Sequence, residues 1–387
     1  MAETELKQNM QTGVGLAGAQ IASDRSAWTS LRERGPVFQD TKGMYCVTSR
    51  EGVQYVLQHP ELFSSAQAFA FEQTPVTLIP IAVDPPDHAH YRRALADSFA
   101  PRRVNNIEDD LRRQAGELID AFVDRGEADI MTELARLYPT QVFLTLFGLP
   151  LEDRDMCAGW VALVNGADID FTAGHGEGSK VVAEASENMT NYLRDVIAPK
   201  RANPSDDVFG RVVALTGEEA WSDEGLLGFG WIFLLAGLDT VASALGFLFN
   251  HLATHPDIRK QVIEDPKALE KVIEEVLRTE TVAPWLPRFT TQDVVVEGYP
   301  IPAKSFVTPL IAVANRDPEY YANPDEVDIT QADQGHFTFG GGPHRCIGSH
   351  LARREMRIVV EEFHKRIKDY ELAPGVEPTV QWPSGTI

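Results

Sequence analysis

The chain is predicted to fold as one mainly α domain with small β-sheets at one side, an α+β arrangement. Three observations predict this. Residues 103–125, 129–147 and 222–251 carry apolar side chains in long runs suited to helices, and 151–166 and 178–200 read as two more helices. Strand signals are short and few, at 44–48, 294–297 and 306–312, with a turn at Gly298. No internal repeat, low-complexity block or Pro-rich linker divides the 387 residues, which are enough for one large core.

Composition excludes several function classes. A net charge of -22 argues against broad nucleic-acid binding, which needs clustered Lys and Arg that survive the acidic background. Only three cysteines occur, Cys46, Cys157 and Cys346, far apart and without Cys-x-x-Cys spacing, which suits a reducing compartment. Residues 1–20 lack the basic region and apolar run of a signal peptide and are expected to be flexible. No uncharged apolar stretch reaches the roughly 18 residues of a membrane span. The expectation is a soluble, cytoplasmic protein without a membrane span.

In chain order, 26–34 reads as a helix, 44–48 as a strand and 50–59 as a helix ended before Pro60. Residues 64–83 have few charges and include Phe69, Phe71 and Val76, broken by Pro75 and Pro80. Such an apolar loop suits a pocket lining, although a buried strand reads similarly. A helix follows from Asp84-Pro85-Pro86 to about Phe99, with the prolines where a missing N–H costs little. His88 and Arg92 share one face there, able to grip an anion, yet the run also reads as an exposed helix rich in His and Arg. Between 151–166 and 178–200, Gly166, Gly174, Gly176 and Gly178 suit either a movable lid or a plain surface loop.

Residues 222–251 are the most apolar long segment, opened by the Ser222 cap. Ala236-Gly237-Leu238-Asp239-Thr240 sets an acid and an alcohol in its middle, and a buried carboxylate is costly unless paired or used. The Thr240 hydroxyl can bond back to the carbonyl four residues earlier, and Gly237 leaves room for a local opening of the helix. Dioxygen and a proton-carrying water suit such a groove. Glu275 and Arg278 form an i, i+3 pair of the kind usually found on a solvated face.

From Phe339 to Met356 a Gly- and Pro-rich loop becomes a helix at Cys346. A thiol at a helix N-terminus faces unsatisfied N–H groups that favour its thiolate, a state suited to binding a metal. The glycines let the backbone approach something flat and large, and Phe339 is placed to shield the sulfur.

The spacing Phe-x-x-Gly-x-x-x-Cys-x-Gly, filled by Phe339, Gly342, Cys346 and Gly348, resembles the heme-binding loop of the cytochrome P450 family. His344 resembles many bacterial members, and Asp84-Pro85-Pro86-x-His88-x-x-x-Arg92 resembles the segment whose His and Arg hold a heme propionate. Ala236 to Thr240 is similar to the family's oxygen-activation motif, Glu275-x-x-Arg278 to its structural pair, and Arg288 to a second propionate-binding Arg. All occur in family order over roughly residues 40–380. The chain departs at Gln331, where many relatives carry an arginine that joins the Glu-Arg pair; Arg316 or His336 are candidate substitutes. Relatives usually run beyond the position of Ile387, through a final hairpin that reaches the pocket, so this protein is expected to be shorter there or the chain truncated.

The resemblance implies a triangular helical body around a buried heme b (iron protoporphyrin IX), as one domain over 1–387. It implies Cys346 as axial ligand of the iron, with His88, Arg92, Gly237, Arg288, Phe339, His344 and Gly348 against the heme. Asp239 and Thr240 are the expected proton-delivering pair. Phe69, Phe71, Val76, Ile232, Leu235, Ala236, Pro284 and Leu286 are the expected substrate contacts, apolar and so suited to a terpenoid, a fatty acid or another lipid-like molecule. The implied activity is insertion of one oxygen atom of O2 into a C–H bond by a monomer, with electrons from a ferredoxin and its reductase. Arg102, Arg103, Arg112, Arg113, Arg345, Arg353 and Arg354 are candidates for the positive docking face, or ordinary solvated charge. The competing reading is a heme protein that binds a ligand or gas without turnover; a weaker one is a heme-thiolate isomerase or lyase.

Overall fold

A computed structural model describes residues 26–69, 76–165 and 180–378. Phe71, the four glycines of the expected lid and the first twenty residues lie outside this set.

Helices dominate. Those longer than eight residues are α1 (Arg50–Gln58), α2 (Asp87–Ala96), α3 (Glu108–Asp120), α4 (Leu137–Phe147), α5 (Arg154–Asn165), α6 (Lys180–Ala202), α7 (Asp223–Thr254), α8 (Pro256–Glu264), α9 (Pro266–Thr279) and α10 (Ser349–Arg366). The strands are β1 (Val37–Gln39), β2 (Tyr45–Val47), β3 (Phe63–Ser64), β4 (Arg288–Thr290), β5 (Val294–Val296), β6 (Tyr299–Ile301) and β7 (Phe306–Pro309). One sheet runs β1-β2-β7-β4-β3, with β2 and β7 parallel and its other pairs antiparallel, and β5 and β6 form a separate hairpin.

The central element is α7. Ser222 caps it by accepting from the Gly225 amide at 3.0 Å, and Asp223 and Glu224 complement the dipole in its first turn. By length and composition this 32-residue helix is apolar enough to cross a membrane. Its apolar surface is instead mostly buried, packed by α4, α6 and α10. A helix apolar on nearly all sides belongs in such a core.

Several boundaries differ from expectation for local reasons. The run expected over 103–125 breaks at Ile107, between the helix Pro101–Asn106 and α3, where three acids, Glu108, Asp109 and Asp110, start a new dipole. The run over 129–147 contains a π-helical turn at Met131–Ala135 before α4. The strand expected over 306–312 stops at Pro309, and Ile311–Ala314 is helical. Proline offers no donor to a ladder, which suits it to the strand's end.

The Glu275–Arg278 pair is not on a solvated face. Both residues are 1% exposed. Arg278 donates to Glu275 through Nε at 2.9 Å and a terminal nitrogen at 2.8 Å, and to the carbonyls of Asn315, Pro324 and Glu326 at 3.0, 2.7 and 2.7 Å. Glu275 also accepts from the Asp328 amide at 3.1 Å. Neither expected substitute for the missing arginine joins the pair: Arg316 faces Asp325, and His336 lies 3.2 Å from Glu274. Gln331 turns to the backbone of Asn323 instead, and the Asp328 N–H occupies the remaining side of Glu275. Arg278→Ala, which strands a buried carboxylate, is expected to cost about 3–5 kcal/mol, read as a lower denaturant midpoint.

Candidate functional site

Three close approaches set the cysteine loop. Gly342 has φ +62°, and a Cβ there would stand 2.1 Å from the Leu57 carbonyl of α1, so conformation and contact both demand glycine. The Cys346 amide donates to the Phe339 carbonyl at 2.8 Å, closing the loop, and α10 begins three residues later with Gly348 as its cap. Asn315 holds the loop from behind: its side chain accepts from the Phe337 amide at 2.7 Å and donates to Thr281 and Thr338 at 2.9 Å each, while Thr338 donates to the Leu277 carbonyl at 2.6 Å. The end of α9 and the cysteine loop are thus one hydrogen-bonded unit.

Cys346 has an accessible surface yet sits deep within the protein envelope, and burial pushes its thiol up. The Gly348 amide and the charges of Arg92, Arg345 and Arg353 act against that without reversing it. The helix terminus therefore does not by itself make a thiolate, contrary to expectation; coordination to a metal removes the proton instead. Phe339 packs into the core with its ring 4.3 Å beneath the Arg353 guanidinium. Arg353 in turn grips Glu274 at 2.5 and 2.7 Å. Burial works to raise the Glu274 carboxyl, but the hydrogen bonds from Arg353 and His336 prevail and hold it at about 2.

Four cationic or basic side chains are gathered at this loop. His88 and Arg92 lie on α2 as expected, and the His88 ring stands 4.2 Å from that of His344. Both Nε2 atoms are buried and lack a hydrogen-bond partner. Arg288, 3% exposed, donates only to its neighbour's Pro287 carbonyl, at 2.8 Å, and makes no ion pair among the described residues. Burial pulls its guanidinium down to about 10, against the pull of Asp84. Burial and Arg92 lower His88 to about 4; burial, Arg288, His88 and Arg92 lower His344 to about 3. Among the described residues, two imidazoles with unpartnered Nε2 atoms and two arginines without an ion pair form a donor set for an anion with several oxygens, and a thiol stands beside it. These residues fit a heme, whose propionates supply such oxygens and whose iron takes a thiolate.

On α7, Ala236 and Thr240 are exposed in mid-helix although most of the helix is buried. Thr240 donates to the Ala236 carbonyl at 2.8 Å, the back-bond read from the sequence. The helix runs unbroken there, without the expected opening, because that bond uses the carbonyl's second lone pair. Asp239 is half-buried. Ile232, Leu235, Phe69 and Val76 pack around one core cluster, and Leu286 lies 3.5 Å from the Cβ position of Gly340 in the cysteine loop. Pro284 is buried, its carbonyl accepting from the Ala312 amide at 3.1 Å.

Sequence reasoning missed Phe143, whose ring lies 3.1 Å from the Cβ position of Gly237, and it named Asp84 in the motif without its role, which is to accept from Ser64 Oγ at 2.5 Å and the Ser65 amide at 2.8 Å. Phe143 looked like any other helix core residue. Most of the expected docking arginines are already paired: Arg112 with Glu108, Glu361 and Glu362, Arg113 with Asp110 and Glu117, Arg353 with Glu274, Arg354 with Glu108, and Arg102 and Arg103 with Asp97. Of these, Arg112 and Arg354 tie α3 to α10, Arg113 is paired within α3, and Arg353 joins α10 to α9. Arg345 is exposed without an ion pair among the described residues.

Fold and site together define a helical protein that holds heme through a cysteine. Residues 33–372 match the Cytochrome P450 family, and the chain belongs to it, with heme b as its cofactor. It is 32% identical to a probable cytochrome P450 127A1 of Sinorhizobium fredii, over 95% of this chain and 89% of that one. It is 33% identical to a vitamin D(3) 25-hydroxylase of Pseudonocardia autotrophica, over 79% and 74%. Among solved structures, CYP109E1 of Bacillus megaterium in complex with testosterone matches with a TM-score of 0.83 at 26% identity, covering 91% of this chain and 92% of that one. The protein is an oxidoreductase of the monooxygenase class.

The lowered His88 has a consequence for pH. In the unfolded chain it takes up a proton near 6.5 and in the heme-free fold near 4, so its contribution to stability is present above pH 6.5 and lost as pH falls through 4. Heme-free protein should lose melting temperature across that window, and His88→Asn should lose less of it.

Proposed function

We propose that this chain hydroxylates a C–H bond of a small hydrophobic substrate, and that it acts as a single-domain, cytoplasmic monomer fed with electrons by a ferredoxin and its reductase. The observation that carries this reading is the pairing of a cysteine loop, ringed by His and Arg without ion pairs among the described residues, with a mid-helix stretch of α7 where Ala236 and Thr240 are exposed. When bound, heme supplies the activation of dioxygen and the oxidation of the substrate.

The chain's own residues supply the rest. Cys346 binds the iron through sulfur, and the Gly348 amide hydrogen-bonds that sulfur. His88, Arg92, Arg288 and His344 would hold the two propionates, which would supply partners for the unpartnered His88 and His344 Nε2 atoms and countercharge for the two arginines. Phe339 backs the loop, and Gly237 keeps the α7 surface low beside the heme. Thr240, anchored on the Ala236 carbonyl, offers its oxygen to a proton-carrying water, and Asp239 relays protons to that alcohol. Phe69, Val76, Ile232, Leu235, Ala236, Pro284 and Leu286, with Phe71 by sequence, exclude water and select apolar ligands. The name of one relative, a vitamin D(3) 25-hydroxylase, supports a substrate of that kind.

For the partner, a surface cleft of about 500 Å³ between α9, α10 and the helix Pro101–Asn106 offers Lys267, Lys271 and His350 beside Glu270 and Asp333, while its Arg353, Arg354 and Arg357 are held by Glu274 and Glu108. Among the described residues Lys267, Lys271 and Arg345 are exposed and make no ion pair, and these are the cations offered to an acidic electron donor.

Titrating the heme-loaded protein with terpenoids, fatty acids and steroids is expected to shift the Soret band with one class; no shift with any of them would count against the apolar pocket. Thr240→Ala is expected to bind substrate and accept electrons as before but to divert them to hydrogen peroxide. Unchanged coupling of electrons to product would remove Thr240 from the relay.

A further inference from the structure

Along α7, glycines stand at 225, 228 and 230, where a core helix gains nothing from their flexibility and each costs about 0.5–1 kcal/mol relative to alanine. Their surroundings differ. A Cβ on Gly225 would make ordinary contact, 3.5 Å from Ile79 Cδ1. One on Gly230 would meet the flexible end of Leu193 at 2.8 Å. One on Gly228 would stand 1.9 Å from the Thr77 carbonyl oxygen and 3.0 Å from its carbon, a collision with backbone that no rotamer relieves. The 77–79 backbone therefore lies across the first turns of α7, with Leu78 and Ile79 buried at its side. Beyond Thr77 the chain closes on itself, the Ala82 amide donating to the Leu78 carbonyl at 2.7 Å, and Ser65 Oγ donates to the Ile81 carbonyl at 2.6 Å. A push at Thr77 is not absorbed by slack on that side.

Gly228, Ile232 and Leu235 follow at i, i+4 and i+7 and so share one stripe of α7. Val76, next to Thr77, packs into the same cluster as Ile232 and Leu235. We infer that Gly228 is a positioning residue that seats the 76–79 segment on α7 and thereby sets the size of ligand the pocket admits. The inference rests on the pocket proposed above and adds the contact that fixes its boundary. Thr240 lies twelve residues further along, about 18 Å at 1.5 Å per residue, so the seat stands at the other end of this stripe from the acid–alcohol pair. A methyl at Gly228 lifts the Thr77 carbonyl, moves Val76 off the α7 stripe and enlarges that end.

Gly228→Ala and Gly225→Ala form a matched pair: both improve helix propensity, and only the first displaces backbone. In heme-loaded protein, binding of imidazole, phenylimidazole and biphenylimidazole is read from the Soret shift, and amide hydrogen exchange at 76–83 is read independently in the ligand-free state. Gly228→Ala is expected to speed exchange at 76–83 and to change the affinity ratio of biphenylimidazole to imidazole in favour of the larger ligand by about threefold or more, with Gly225→Ala like the parent. Unchanged exchange in Gly228→Ala overturns the seat. Faster exchange with an unchanged ratio overturns its control of ligand size and argues against Val76 as a lining residue. An absence of any azole shift in the parent instead strikes at the proposed pocket, and the exchange result then still decides the seat.

Discussion

One buried guanidinium holds the cysteine side of the molecule together. Arg278 cannot leave its place on α9 without exposing Glu275 to an apolar interior, and its donors also reach the carbonyls of Asn315, Asn323, Pro324 and Glu326. A buried charge is tolerated when its full complement of partners is present and costly when one is lost. The irregular 315–328 segment is therefore shaped by a regular helix. Asn315, in that segment, then passes the order on through Phe337 and Thr338 to the loop that carries Cys346.

Around this frame the charges fall into two groups. On α3 and α10, Glu108 alone meets Arg112, Arg354 and Arg357, and Glu362 meets Arg112, Lys365 and Arg366. Such partly exposed networks join helices and contribute modestly to stability. At the cysteine loop the opposite holds: Arg288 and His88 are buried, His344 is half-buried, and among the described residues none of the three makes an ion pair with a carboxylate. Buried cations and imidazoles without partners are unfavourable in the protein alone, so the ligand that completes them binds with that energy as part of its affinity. The cost to the heme-free fold and the grip on heme have the same origin.

Helix α7 combines scaffold and site because its two requirements act on different faces. Burial against α4, α6 and α10 keeps the helix rigid, and the break in burial at Ala236 and Thr240 gives chemistry access to it. Its small residues are used for approach: Phe143 comes close to Gly237 and the Thr77 carbonyl to Gly228. Rigid helical support for a polar pair holds geometry more accurately than a loop would.

The mainly helical class, the central helix with its Ser222 cap, and the motif residues from His88 to Gly348 were legible in the sequence, because local spacing and residue chemistry carry them. His88 with Arg92, and Thr240 with Ala236, are i, i+4 relations within a helix, so their neighbourhood is implied by order along the chain. Partnership across the chain was not legible. That Gln331 turns to Asn323, that most of the expected docking arginines already hold acids, and that Cys346 keeps a raised thiol depend on which distant segments meet and on how far burial outweighs a helix terminus. The sequence by itself determined which groups the site would contain; only the tertiary structure decided which of them stay unpaired, because pairing and desolvation are properties of segments brought together by folding.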